Sequence, residues 1–396
     1  MRTVLPFDYL QGISNSMNKP SSYLVRVVFF CVSLLAACAF LVHRTGAQNS
    51  PIPATASTQE KTVDQVHKNI QVLKGVPESQ LIPVMNYMGA SLGVRCTYCH
   101  VNKDGNWDFA SDEKGEKKSA REMITMVTGI NKTTFKGNAE VSCYTCHRGR
   151  TSVAHTLSLP LPTPEPRPAP GQNQQSREAL PTSDQILDKY YQALGGATAL
   201  DSLKSRFMKG TVTTATGTEL GYELTQSGPD LSLASITTPQ SGIVERAFNG
   251  TIGWEKTAAG VREMAPEEVR YLKRYPNLYA DLKLKGQFSR LAVSGKQKID
   301  GRDVYVLRGA NVDGRREQLF FDVETGFLVR RITSTTTLVG IIPEQIDFSD
   351  YREADGMKLP YTIKVSAIDP NYSLVRKFTE IKVNPTVDLK RFNKPG

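Results

Sequence analysis

Histidine and cysteine are scarce in this 396-residue chain, and both stop early. The histidines are His43, His67, His100, His147 and His155, and the cysteines are Cys31, Cys38, Cys96, Cys99, Cys143 and Cys146. The C-terminal half therefore cannot build a Cys-His or Ser-His-Asp nucleophile, a cysteine-histidine zinc site or a disulfide. Acidic residues alone, such as Glu344, Asp347 and Asp350 in "PEQIDFSD", read as turn and surface groups rather than a paired acid and base. The formal charge of +10 is spread along the chain. No basic stripe with interleaved aromatics is present, which excludes nucleic acid as a partner. With 39% hydrophobic and 22% charged residues the composition is that of a globular protein, long enough for two domains.

Long apolar runs are also absent, with one exception at residues 27–42, "VVFFCVSLLAACAFLV". Arg2, Lys19 and Arg26 precede it and a polar stretch follows, the layout of a secretory signal. The run is shorter than the roughly 20 residues of a full membrane span. Its end reads three ways: lipid on Cys38 in "LAAC", cleavage after Ala47, or an uncleaved anchor. A tether by lipid or helix at residues 1–47 is the expectation, facing the periplasmic side of a bacterial membrane.

The other four cysteines stand in "SLGVRCTYCHV" and "VSCYTCHRGR". Cys96, Cys99 and His100 make one C-x-x-C-H; Cys143, Cys146 and His147 make another. C-x-x-C serves zinc sites, dithiol redox pairs and covalent haem attachment. The adjoining histidine discriminates. A four-cysteine zinc site is already saturated, and a thioredoxin-like pair would sit in a βαβ unit that the flanking sequence does not contain. In c-type attachment two thioethers hold the porphyrin and the imidazole binds the iron. Two such motifs in an exported chain predict two covalently bound haem c groups, with His100 and His147 as iron ligands.

Each motif follows a helical segment carrying M-x-x-M. In "ESQLIPVMNYMGASLG", Leu81, Met85, Met88 and Leu92 share one face; "SAREMITMVTGIN" carries Met123 and Met126, with Ser119 as expected N-cap. The order is an internal repeat with one haem per unit. Each pair can supply one iron ligand and one packing residue, and spacing leaves open which is which. Residues 48–60 are polar. Residues 61–150 hold both motifs, and residues 151–181 include prolines at 160, 162, 164, 166, 168 and 170, an extended spacer between two domains.

From about residue 66 to 150 the chain resembles the cytochrome c subunit of photosynthetic reaction centres, matching one two-haem half. In that family a methionine on the helix before each motif is the sixth ligand. The resemblance places this role on Met85 and Met123 and leaves Met88 and Met126 to packing. Family members usually carry four haems, one with two histidine ligands; this chain has two motifs and no further histidine near residues 133–135. Photosynthetic and respiratory pathways are both open.

Residues 182–396 read as an α+β domain. A helix is expected at "SDQILDKYYQALGG", capped by Ser183 or Asp184, and a second at "APEEVRYLKRYP". Alternating runs such as "RDVYVLRG", "REQLFFDV", "FLVRRITS", "LPYTIKVS" and "VRKFTEIKV" are separated by turns at Asp300-Gly301, Asp313-Gly314, Glu324-Thr325-Gly326 and Asp355-Gly356. This predicts a curved antiparallel sheet. The stretches "FFDVETGFLVRR" and "YREADGMKLPYTI" resemble the half-barrel of lipoprotein carriers. The concave face of such a sheet either encloses an apolar ligand or is filled by a helix.

The expected protein is a multidomain, membrane-tethered dihaem cytochrome with a mainly α haem module and a β-rich C-terminal domain. It passes electrons between redox proteins in or at the membrane. The rival readings are a dihaem peroxidase-like enzyme, with His67 or His155 as distal group, and a ligand-binding periplasmic protein with accessory haems.

Overall fold

The computed structural model describes residues 60–156, 180–239, 242–265, 268–269, 277–311, 314–368 and 372–396. The signal or anchor, the proline-rich stretch at 157–179 and most of the helix expected at 265–276 lie outside them. Among the described residues no helix is long and apolar enough to cross a membrane.

The N-terminal described segment holds short α1 (Val63–Val66), α2 (Leu81–Leu92), the hairpin β1 (Val101–Lys103) and β2 (Asn106–Asp108), α3 (Gly115–Thr133) and α4 (Cys143–His147). α2 ends where Gly93 turns left-handed at φ +68° and its N–H bonds the Gly89 carbonyl. Its deepest face is Val84, Tyr87 and Ser91, with Met85 and Met88 flanking and half-buried. α3 starts one turn before the expected cap: Lys114 is its N-cap, and Ser119 lies inside the helix with its hydroxyl on the Gly115 carbonyl at 3.4 Å.

The C-terminal segment opens with α5 (Ser183–Leu194) and α6 (Ala197–Ser202). Thr182, not Ser183 or Asp184, caps α5. Its extended backbone lets the hydroxyl accept from the Gln185 N–H at 3.2 Å, while Gln185 returns a bond to the Thr182 N–H at 2.8 Å. Thirteen antiparallel strands follow. β3 (Ser205–Thr214) to β8 (Gly260–Glu263) meander outward to one edge, and β9 (Phe288–Ile299) to β15 (Leu374–Val383) return from the other edge until β15 pairs with β3. Tight turns set the register. Asp300-Gly301 and Asp355-Gly356 both have positive φ, the primed geometry that matches strand twist. The first six strands are more than the sequence reading marked.

One face of the sheet carries the main core. Ile186, Leu187, Tyr190 and Leu194 of α5 pack with Leu278, Leu282 and Leu284 against Leu307, Leu319, Phe321 and Leu359. Of the two readings of the concave face, these contacts support the helix-filled one. Arg331, half-buried, lies between Glu317 at 2.7 Å and Asp281 at 2.9 Å. Asp347 and Asp350 pair with Arg330 and Arg352 in partly or largely exposed ion pairs.

A separate apolar cluster joins the two segments: Val63, Leu73, Val84, Tyr87 and Ile124 from the first, and Val339 from the turn between β12 (Leu328–Thr337) and β13 (Gly340–Ala354).

Candidate haem-binding site

Both motifs lie on a helical turn, which brings residues three apart onto one side. Cys96–Tyr98 is a 3-10 turn and Cys143–His147 is the short helix α4. α4 is set by a reciprocal cap. The Ser142 hydroxyl accepts from the Thr145 N–H at 3.3 Å, and the Thr145 hydroxyl accepts from the Ser142 N–H at 3.0 Å. The chain then leaves through Arg148 and Gly149, both at positive φ.

The second motif faces a cleft of about 590 Å³. Met123 and Met126 of α3, Cys143, Cys146 and His147 of α4, and Met88 and Leu92 of α2 all line it. That size lies within the range of small-molecule and cofactor pockets. The His147 Nδ1 lies 3.0 Å from the Arg150 carbonyl. A carbonyl only accepts, so Nδ1 donates to it and Nε2 is the nitrogen left to face a ligand. This is the arrangement that orients a metal-binding imidazole. Asn131, buried on α3, clamps the approach to the motif by donating to the Val141 carbonyl at 2.7 Å and accepting from the Val141 N–H at 2.9 Å.

The first motif is placed differently. Cys99 and Tyr98 line the same cleft, whereas Cys96 and His100 are not among its lining residues. His100 meets Phe109 edge-on at 5.2 Å, and Phe109 stacks on Trp107 at 5.1 Å. Burial, then the Lys117 ammonium, pushes the His100 pKa down, with a backbone bond to Phe109 acting the other way. Its Nδ1 is buried with no hydrogen-bond partner, so the carbonyl anchor that His147 Nδ1 has is missing here. Lys117 is held by the carbonyls of Phe109, Ala110 and Ser111 at 2.8–3.0 Å and by Asp112 at 3.2 Å. The Lys114 ammonium donates to the Thr97 carbonyl inside the motif.

The two motifs touch through glycines. The Gly149 N–H donates to the Ser91 carbonyl at 2.8 Å, and a Cβ on Gly93 would collide with the Gly149 carbonyl. Neither glycine, nor Asn131, nor the Ser142-Thr145 cap was singled out from the sequence. The "GVRC" and "CHRG" contexts carry the only signal for the glycines.

The structure thus brings Cys143, Cys146, His147 and Met123 to one cleft, with Met126 beside them. Met85 packs instead against the Val84–Tyr87–Val339 cluster, and Met88 reaches the cleft. His67 pairs with Glu78 at 3.0 Å, and the His155 Nδ1 lies 3.3 Å from the Val153 carbonyl. The four described cysteines are free thiols. Burial pushes the Cys99 and Cys143 thiols up, opposite to the depressed pKa of a dithiol redox nucleophile. No group of three or more His, Cys, Asp or Glu side chains that could hold a metal ion exists among the described residues. The donor set fits haem c: paired thiols on a turn, an imidazole, thioethers and apolar side chains around one cleft.

Comparison with known proteins agrees with this chemistry. Residues 39–200, less than half of the chain, match the family model described as photosynthetic reaction centre cytochrome C subunit. The photosynthetic reaction center cytochrome c subunit of Thermochromatium tepidum is 37% identical over 110 residues, 26% of each chain. Cytochrome c-554 of Chloroflexus aurantiacus is 39% identical over 87 residues, 20% of each chain. The chain spans about a quarter or less of the length of these relatives. Among solved structures, a DUF1329 family protein from Desulfovibrio piger covers 53% of this chain and 96% of its own at 13% identity and TM-score 0.40. A LolA superfamily protein from Nitrosomonas europaea covers 54% and 99% at 14% identity and TM-score 0.37. The haem-motif region of this chain is thus similar in sequence to reaction-centre cytochrome c subunits.

Proposed function

We propose that this protein is a dihaem c-type cytochrome, tethered through residues 1–47 on the periplasmic side of a bacterial membrane, that passes single electrons between redox proteins. The reading divides the chain into a haem module at 61–150, a spacer at 151–181 and a sheet domain at 182–396. One observation carries it: both thiols and the imidazole of the second motif line a single cofactor-sized cleft opposite Met123 and Met126. Cys96 with Cys99, and Cys143 with Cys146, are the covalent attachment points. Haem iron, when bound, supplies a one-electron Fe(III)/Fe(II) couple. The Arg150 carbonyl, accepting from Nδ1, keeps the His147 ring oriented with Nε2 as the ligating nitrogen. Met85 and Met123 are the proposed sixth ligands, and thioether ligation raises the potential. With a histidine and a methionine both holding the group, no open position would remain for a substrate, which separates this reading from a peroxidase-like one.

The test is spectroscopic. A pyridine haemochrome assay should find two haems per chain that acidified organic solvent does not extract. The oxidised protein should show the near-infrared band of methionine-to-iron charge transfer, and the reduced protein should resist carbon monoxide. Met123→Ala should open the second haem alone and lower its potential. Carbon monoxide binding to the wild-type chain, or opening by Met126→Ala instead, would reject the ligand assignment.

A further inference from the structure

The turn between β12 and β13 belongs to the sheet by its hydrogen bonds but reaches into the core of the haem-motif segment. Thr337 pairs with Gly340 across this turn, and the Thr337 hydroxyl donates to the Gly340 carbonyl at 2.8 Å. Between them Val339 is fully buried, and it is buried among Val63, Leu73, Val84, Tyr87 and Ile124 rather than among sheet residues. Leu338, Ile342 and Ile368 pack on the same cluster. Gly340 has φ +151° and lies flush against the Tyr87 ring: a Cβ there would fall 2.6 Å from Cζ and 2.8 Å from Cε1. Real Cβ contacts are not that short, so the absence of a side chain lets Tyr87 seat. Tyr87 stands on α2 between Met85 and Met88, and α2 runs into the first attachment motif three residues after Gly93.

We infer that this turn is a positioning element for the first haem: the sheet sets the seating of α2, and α2 sets where its methionines stand relative to the motif whose His100 would hold the iron. The inference rests on the dihaem reading. A sulfur-iron bond tolerates little displacement, and a ligand is held in place by what packs behind it. Met85 and Met88 both pack on the cluster that holds Val84, Tyr87 and Val339. The sheet domain is thereby part of the redox centre, and anything that shifts β12 and β13 shifts one potential more than the other.

The experiment uses the full chain. Gly340→Ala should retain two covalent haems, lose part of the near-infrared methionine band and lower one of the two midpoint potentials in a spectroelectrochemical titration. Repeating it in Met123→Ala, where the second haem's potential is already displaced, identifies the moving component as the first haem. Tyr87→Leu, which withdraws the ring that Gly340 meets, should lower the same potential without straining the turn. Phe320→Leu, in a separate apolar cluster of the sheet, controls for general loosening and should leave both potentials in place. Unchanged potentials in Gly340→Ala and Tyr87→Leu, or an equal shift in Phe320→Leu, would each overturn the inference. Fewer than two haems in the wild-type chain would instead overturn the reading beneath it.

Discussion

The two halves of the described structure bury apolar surface in opposite ways. Residues 205–383 form a continuous antiparallel sheet whose face is filled by the chain's own side chains, with Leu194, Leu284, Leu307, Leu319, Leu328 and Leu359 fully buried. Residues 60–156 have short elements and a small core. They hold nine of the thirteen large apolar side chains that stand exposed among the described residues, including Tyr98, Trp107, Phe109, Met123, Met126, Tyr144 and Val153. An apolar concentration of this kind marks a surface made to be covered. The sheet supplies its own core, whereas the motif segment leaves apolar surface that the proposed haem would cover.

The sharpest way to break that comparison is to remove one cofactor attachment. Cys143→Ala with Cys146→Ala should halve the covalent haem and strip hydrogen-exchange protection from residues 115–147, while amides of β10 to β14 keep theirs. Equal protection in variant and wild type would mean that the motif segment holds itself together after all. Leu307→Ala is the converse. A fully buried leucine in the sheet core should cost about 2–5 kcal/mol, seen as a lower denaturant midpoint, with the haem spectrum of the still-folded protein unchanged. Asn131→Ala comes next, at about 1–3 kcal/mol for the orphaned Val141 groups. It should also broaden the second haem's redox wave, because the clamp sets the entry to α4; Asn131→Leu should not rescue it.

Acid should produce the smallest effect. The Arg262 hydrogen bonds, with a bond from the Ala265 N–H, hold the Glu268 carboxyl down to about 2 against a burial effect that opposes them. In the motif segment Arg121, then Asn69, hold Asp112 well below the usual carboxylate range. Folded pKa values below unfolded ones stabilise above about pH 4 and lose that contribution as pH falls through the folded values. Both halves should therefore weaken between about pH 4.5 and 2, and Glu268→Gln should flatten this slope for the sheet only. A slope unchanged by Glu268→Gln would assign the acid sensitivity elsewhere.

The sequence by itself determined the two C-x-x-C-H motifs, on which the haem proposal rests, and the local punctuation. C-x-x-C-H is a covalent requirement, readable because the ligand types and their spacing on one helical turn are a property of a few consecutive residues. The primed turns at Asp300-Gly301 and Asp355-Gly356 were legible for the same reason: φ preference is local. Strands β10, β11, β12, β14 and β15 followed from alternation. Strands β3 to β8 did not stand out in the same way, since polar, small and aromatic residues interrupt their period. Tertiary structure alone decided the rest. The α2 stripe of Leu81, Met85, Met88 and Leu92 is helical in spacing, but which side faces the core depends on what packs there, and Val339 arrives from some 250 residues away to bury Val84 and Tyr87. For the same reason Met88, not Met85, reaches the cleft, Gly93 meets Gly149, and Gly340 receives Tyr87. A close approach between distant backbones leaves no local pattern; it is recorded only in the missing side chain at the point of contact.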